Sequence, residues 1–121
     1  MSWPVVLGIG LLGGLGAIAR FGLDGAVSTL LGREFPYGTL LVNLVGAFLL
    51  GVLTGLAVEG NQYRLLGTGL IGSFTTFSTW MLESHRLEED GQPGFGALNF
   101  VISLALGLGT AWVGRRVGTL L

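Results

Sequence analysis

The chain has no cysteine and no lysine, one histidine, three prolines and only 11% charged residues over 121 positions. Without cysteine there are no disulfides, thiol nucleophiles or thiolate metal sites. With His85 alone there is no zinc-type cluster, and no nucleophile elbow accompanies it, so an enzyme is not expected. The formal charge is −1 and no basic tract occurs, so nothing points to nucleic acid. A soluble domain would carry about a quarter charged residues. What fills the gap is apolar: half the residues are hydrophobic, mean hydropathy is +0.75, and 23 residues are glycine. Small residues let membrane helices approach closely. The chain reads as one membrane domain, 1–121, with the lipid bilayer as its solvent.

Four charge-poor runs are long enough to span, each needing roughly 20 residues. They cover about 4–31, 38–58, 65–82 and 95–114. None alternates with the period of a barrel strand, so all are expected as helices. The first resembles a secretory signal, but no Lys or Arg precedes it, and a retained helix is expected. Gly32–Tyr37 and Glu59–Gln62 read as polar turns, and Glu83–Gly94 as the longest connection. Three glycine pairs at one-turn spacing, Gly10/Gly14, Gly51/Gly55 and Gly114/Gly118, suggest close helix contacts.

Orientation is weakly specified. Arg64, Arg115 and Arg116 fall on the side of the N-terminus, Arg33 and Arg86 on the other. Three against two is almost no positive-inside bias. Either insertion follows other cues, or copies insert both ways and pair antiparallel. A bundle of four short helices has little interior for a polar pathway, which favours the antiparallel pair.

The third run holds the densest polarity. Gly72 to Trp80 carries five hydroxyl residues and three large aromatics at its centre. Polar side chains inside a bilayer face protein, water or a solute. Phe77 and Trp80 are three apart and share a helix face. An aromatic edge is electropositive, so edge-on rings, with the hydroxyls of Ser78 and Thr79, suit an anion. Taken alone, the rings are better explained by ordinary aromatic packing. Gly67, Gly69, Gly72 and Ser73 permit either a helix break at mid-membrane or close packing. In the second run Thr39, Asn43 and Ala47 share one face. The Asn43 amide is either interhelical glue or a donor to an anion. Arg20 and Asp24, four apart, are spaced so that they could form an intrahelical pair, with Arg20 an interfacial anchor or a positive group in a vestibule. Glu83 and His85 close the third run at an interface.

Three stretches together resemble the CrcB/Fluc fluoride channels. They are Gly13–Arg20, Gly38–Phe48, and Gly69–Thr79 followed by Glu83. The resemblance implies an all-α membrane protein with four transmembrane helices per subunit, the third broken at mid-membrane, in an antiparallel dual-topology homodimer. It implies passive fluoride export across the cell (inner) membrane, which relieves fluoride toxicity. The pathway residues it implies are Asn43, Phe77, Trp80, Ser78, Thr79, Thr39, Arg20 and Glu83. It also implies a structural sodium ion on the dimer axis, held by the backbone carbonyls of Gly72 and Thr75 from both subunits. Trp80 departs from the family, which usually has Phe there. That leaves open one subunit of a heterodimeric channel, although Asn43, Phe77 and the sodium motif favour the homodimer. A small proton-coupled drug exporter is a rival of similar architecture, but it needs a membrane carboxylate, and only Asp24 is available. A membrane subunit without transport activity would leave the hydroxyls unexplained.

Overall fold

A computed structural model describes residues 1–121 and contains helices and no strand. The order is α1 (Trp3–Leu31), α2 (Tyr37–Gly55), α3 (Gly60–Tyr63), a π-helical segment (Arg64–Ile71), α4 (Gly72–Phe74), α5 (Ser78–Glu89) and α6 (Pro93–Leu120). By length and composition, α1, α2 and α6 can each cross a membrane. The stretch 65–82 is divided between the π-helical segment, α4 and α5, with Thr75–Phe77 outside any helix.

Helix ends follow local backbone chemistry. Gly32, at φ 81°, ends α1, and its N–H bonds the Ser28 carbonyl. The second helix stops three residues before the expected Val58. Ala57 takes φ 57°, while its N–H bonds Thr54 O and the Val58 N–H bonds Leu53 O. Those two bonds make a Schellman close, which normally uses glycine. Alanine there costs about 1 kcal/mol and leaves no signal in the sequence. The expected connection Glu83–Gly94 is corrected further. Most of it is helix, because α5 runs on to Glu89 and closes with Gly91 at φ 77° and Gln92 N–H on Leu87 O. The true link is Asp90–Gln92, after which Pro93 opens α6. That helix continues six residues past the expected Gly114. Charge marks where apolar solvent ends, not where a helix ends.

Glycine contacts hold the elements together. A methyl group added at Gly51 or Gly55 would fall on the Ala111 or Arg115 carbonyl of α6. In return, one at Gly114 or Gly118 would fall on the Phe48 or Val52 carbonyl of α2. The two helices therefore meet backbone to backbone, and two of the three predicted glycine pairs are a single zipper. The third pair is different: nothing in the chain lies within 4 Å of a methyl group added at Gly10 or Gly14. On α1 it is Gly16 that fits against the Leu70 carbonyl, while Gly13 faces the Ser73 hydroxyl. In the π-helical segment Gly72 N–H bonds Gly67 O, five residues back. Such wide turns are rare and tend to occur at functional sites.

The interior is small. Only 19 residues are buried, and the two largest fully buried side chains are Val42 and Asn99. Phe21, at 84% exposed, and Trp112, at 65%, are among many large apolar side chains on the outside. A surface of this kind suits lipid.

The zipper yields a test. Gly114→Ala gains about 1 kcal/mol of helix propensity, but overpacking against the Phe48 carbonyl costs about 1–3 kcal/mol. The melting temperature of the detergent-purified protein is expected to fall. Gly22→Ala, where nothing lies within 4 Å, should leave it unchanged or raise it.

Candidate functional site

The interruption at Thr75–Phe77 is built by side chains that replace helical bonds. Thr75 is extended, with φ −82° and ψ 161°, so the chain turns away from its helical path. Asn43, on α2, then grips the next residue at two points. Its Nδ2 donates to Thr76 O and its Oδ1 accepts from Thr76 N–H, both at 2.9 Å. The amide thus stands in for a peptide group, offering donor and acceptor together. Thr76 Oγ1 accepts from Thr79 N–H at 3.2 Å and caps the start of α5. A continuous helix would aim Thr76 N–H at the Gly72 carbonyl and Thr79 N–H at the Thr75 carbonyl. Both donors are used elsewhere.

Two cavities meet at this point. One, of about 380 Å³, is lined by Asn43, Gly72, Thr75, Thr76, Phe77 and Trp80, among others. The other, of about 220 Å³, is lined by Arg20, Phe21, Asp24, Thr39, Val42, Thr76 and Thr79. Thr76 borders both. Thr39 and Asn43, one helical turn apart on the same face of α2, therefore serve different cavities.

Phe77 is 69% exposed and meets Trp80 edge-to-face, with ring centres 5.6 Å apart at 88°. Trp80 in turn stacks on Phe100 at 5.3 Å, and its indole N–H donates to the Asn99 carbonyl at 3.2 Å. The donor that distinguishes Trp80 from phenylalanine is thus already engaged within the subunit. Asn99 is 1% exposed, and its Nδ2 donates to Ser84 Oγ at 2.8 Å. Ser84 Oγ donates onward to Trp80 O at 2.9 Å. This network fastens α5 to α6 and every buried side-chain polar atom in the chain has a partner. The sequence reading passed over Asn99, although a lone amide in the apolar run 95–114 is a visible signal.

The remaining predicted residues are spread around this core. The Thr39 hydroxyl donates to Glu83 Oε1, joining α2 to α5. Thr79 is half-buried and lines the Arg20 cavity, whereas Ser78 is exposed and lies 3.4 Å from the Thr76 hydroxyl. The Arg20–Asp24 ion pair that the spacing permits does not form. Arg20 Nη1 reaches the Thr75 carbonyl instead, at 3.5 Å. No arginine pairs with a carboxylate in the chain, and the one contact of a basic side chain with an acidic one is His85 Nε2–Glu89 Oε1 at 2.8 Å, on the exposed end of α5. No three His, Cys, Asp or Glu side chains gather as metal ligands.

Fold and site define a small multi-pass membrane protein whose polar groups converge on an interrupted helical segment. The chain belongs to the CrcB family: the family profile "CrcB-like protein, Camphor Resistance (CrcB)" matches residues 7–115. It is 48% identical over 117 residues to fluoride-specific ion channel FluC 2 of Mycobacterium tuberculosis (strain CDC 1551 / Oshkosh), covering 97% of this chain and 93% of the relative. It is 43% identical over 114 residues to FluC of Geobacter sulfurreducens, covering 90% and 92%. It is 46% identical over 107 residues to FluC 2 of Haloarcula marismortui, covering 86% and 87%. These relatives are named as channels, not enzymes.

Asn43→Leu would leave the N–H and C=O of Thr76 without partners, at about 1–3 kcal/mol each. A marked fall in thermal stability is expected in detergent. Trp80→Phe loses one hydrogen bond but keeps the stack, so its loss should be smaller, about 0.5–1.5 kcal/mol.

Proposed function

We propose that this protein is a fluoride-selective passive channel of the cell membrane that exports fluoride and so limits its toxicity. The observation that carries this reading is the clamped interruption at Thr75–Phe77, with ring edges, hydroxyls and the Asn43 amide around it. Fluoride holds its water strongly. A pathway for it must supply hydrogen-bond donors and positive ring edges, yet bind shallowly enough to release the ion. Asn43 keeps one Nδ2 hydrogen beyond the clamp, and with Phe77 and Trp80 it borders the larger cavity. Thr39, Thr79 and Arg20 border the second cavity. Ser78 and Glu83 adjoin them through Thr76 and Thr39.

The segment Leu65–Leu82 acts as the third of four spans, with its interruption at mid-membrane. The larger cavity opens on the outside of the subunit, where Phe77 is exposed. A second copy in antiparallel orientation closes that side, in keeping with the near-even distribution of arginines across the two faces. A structural sodium ion bound by the carbonyls of Gly72 and Thr75 fits the same geometry. Both oxygens have lost their helical donors, with only the long 3.5 Å contact from Arg20 Nη1 on that of Thr75, both residues border the open cavity, and carbonyl oxygen suits a hard cation. Sodium would supply the positive charge that joins two interrupted segments.

The heterodimer remains the second arrangement, raised by Trp80. Its indole N–H is bonded to Asn99 O and adds no free donor to the pathway, which favours the homodimer. The drug-exporter rival has no use for the hydroxyl- and aromatic-rich segment.

The test is fluoride efflux from liposomes containing this chain alone, with chloride efflux as control. Fast fluoride release without chloride release is expected. Phe77→Ile should slow fluoride by about tenfold or more, since 1.4 kcal/mol at the barrier is a factor of ten. Trp80→Phe should change it far less. Replacing sodium with a bulky organic cation should abolish release. Silence from the folded chain that is restored by co-expressing a homologue would establish the heterodimer instead.

A further inference from the structure

Beside the proposed anion route lies a carboxylate that the route does not require. Asp24 shares the 220 Å³ cavity with Arg20, Thr39, Thr76 and Thr79. A fixed negative charge at an anion's entrance repels the ion. Arg20, one turn earlier on α1, is the natural partner, yet the two form no ion pair and the guanidinium reaches Thr75 O. Asp24 leans on α2 instead. A methyl group at Gly38 would fall on Asp24 Oδ1 and lie 2.9 Å from its backbone oxygen. Gly38 is the second residue of α2, a helix that begins behind Pro36 with no side-chain cap and no acidic residue in its first turn. The free N–H groups of such a turn carry partial positive charge, which favours a nearby carboxylate. The missing side chain at Gly38 gives Asp24 its place there.

We propose that Asp24 sets the electrostatic strength of this entrance. Seated at the start of α2 and not on Arg20, it leaves the guanidinium, which donates to Thr75 O, without a carboxylate partner and able to attract anions, while limiting how strongly the entrance holds them. Without Asp24, Arg20 and the helix N-terminus would gather fluoride more strongly: at low fluoride, where arrival of the ion limits the rate, that speeds efflux, and only at high fluoride does tighter holding slow release. Conduction needs an ion that also leaves. The inference rests on the fluoride-channel reading.

Because the role is electrostatic, its signature is salt dependence. A unit charge roughly 8 Å from an ion in water changes the local ion concentration about twofold. That influence reaches across the entrance when the Debye length is ~30 Å, at ~0.01 M salt, and vanishes when it is ~3 Å, at ~1 M. The experiment is initial fluoride efflux from liposomes holding the full chain, at low fluoride, with an impermeant supporting salt at those two strengths. Asp24→Asn should be faster than wild type by about twofold at low salt and equal to it at high salt. Asp24→Ser, smaller and also neutral, should behave alike and serves if the Asn variant fails to fold. A rate unchanged or reduced at low salt in the folded variants overturns the proposal, and so does a change of equal size at both salts, which marks a packing role. Wild-type liposomes that release no fluoride would instead remove the channel reading, and this inference with it.

Discussion

The paired bonds between the Asn43 amide and the Thr76 backbone hold the rest of the arrangement in place. An interrupted helix surrounded by apolar groups leaves N–H and C=O without partners, and each is costly where water is scarce. Only asparagine and glutamine carry a side chain that can answer both groups as a peptide would. With Thr76 fixed from α2, its hydroxyl is free to cap Thr79, and α5 restarts in a defined direction. Phe77 and Trp80 take their edge-to-face geometry from that restart, and the Gly72 and Thr75 carbonyls are released by the same exchange of donors. One amide therefore links the backbone geometry, the aromatic pair and the two cavities.

The frame that keeps Asn43 opposite Thr76 owes little to a hydrophobic core. Nineteen buried residues give too small an interior for that. Where lipid tails are as apolar as the side chains, helices associate through close packing and polar contacts. Here the close packing is the glycine zipper between α2 and α6, with Gly16 playing the same part between α1 and the π-helical segment. The polar contacts are the Asn99–Ser84–Trp80 network and the Thr39–Glu83 bond. Glycine serves as spacing and the hydroxyl and amide groups serve as fastening, so little of the chain's large apolar surface is spent inside the subunit.

Much of this was legible in the residue pattern, and the failures have physical causes. The three long helices follow from charge-free apolar runs, and the polar density of Gly72–Trp80 marked the site. Helix ends were misjudged at Ala57, Glu89 and Leu120, because hydropathy reports the surrounding solvent while hydrogen bonding ends a helix. The spacing of Arg20 and Asp24 permits a pair, but spacing cannot know that the Thr75 carbonyl lies within reach of the guanidinium. Asn43 read ambiguously as glue or donor. Its amide bonds the Thr76 backbone and not another side chain, a partner that spacing within α2 does not reveal. Gly10 and Gly14 match the spacing of a packing motif yet face outward from the subunit.

Composition and periodicity by themselves determined that the chain lives in a membrane, that it is helical, and that its polar chemistry is concentrated near residues 72–80. These are properties of short segments, set by transfer free energies and by the 3.6-residue repeat, and they need no knowledge of neighbours. The tertiary structure alone decided that Asn43 meets Thr76, that the Trp80 N–H is taken by Asn99, and that Arg20 reaches the Thr75 carbonyl and not Asp24. Each is a choice among competing partners brought together from distant parts of the chain, and only the packed backbone determines which partner is within hydrogen-bonding reach.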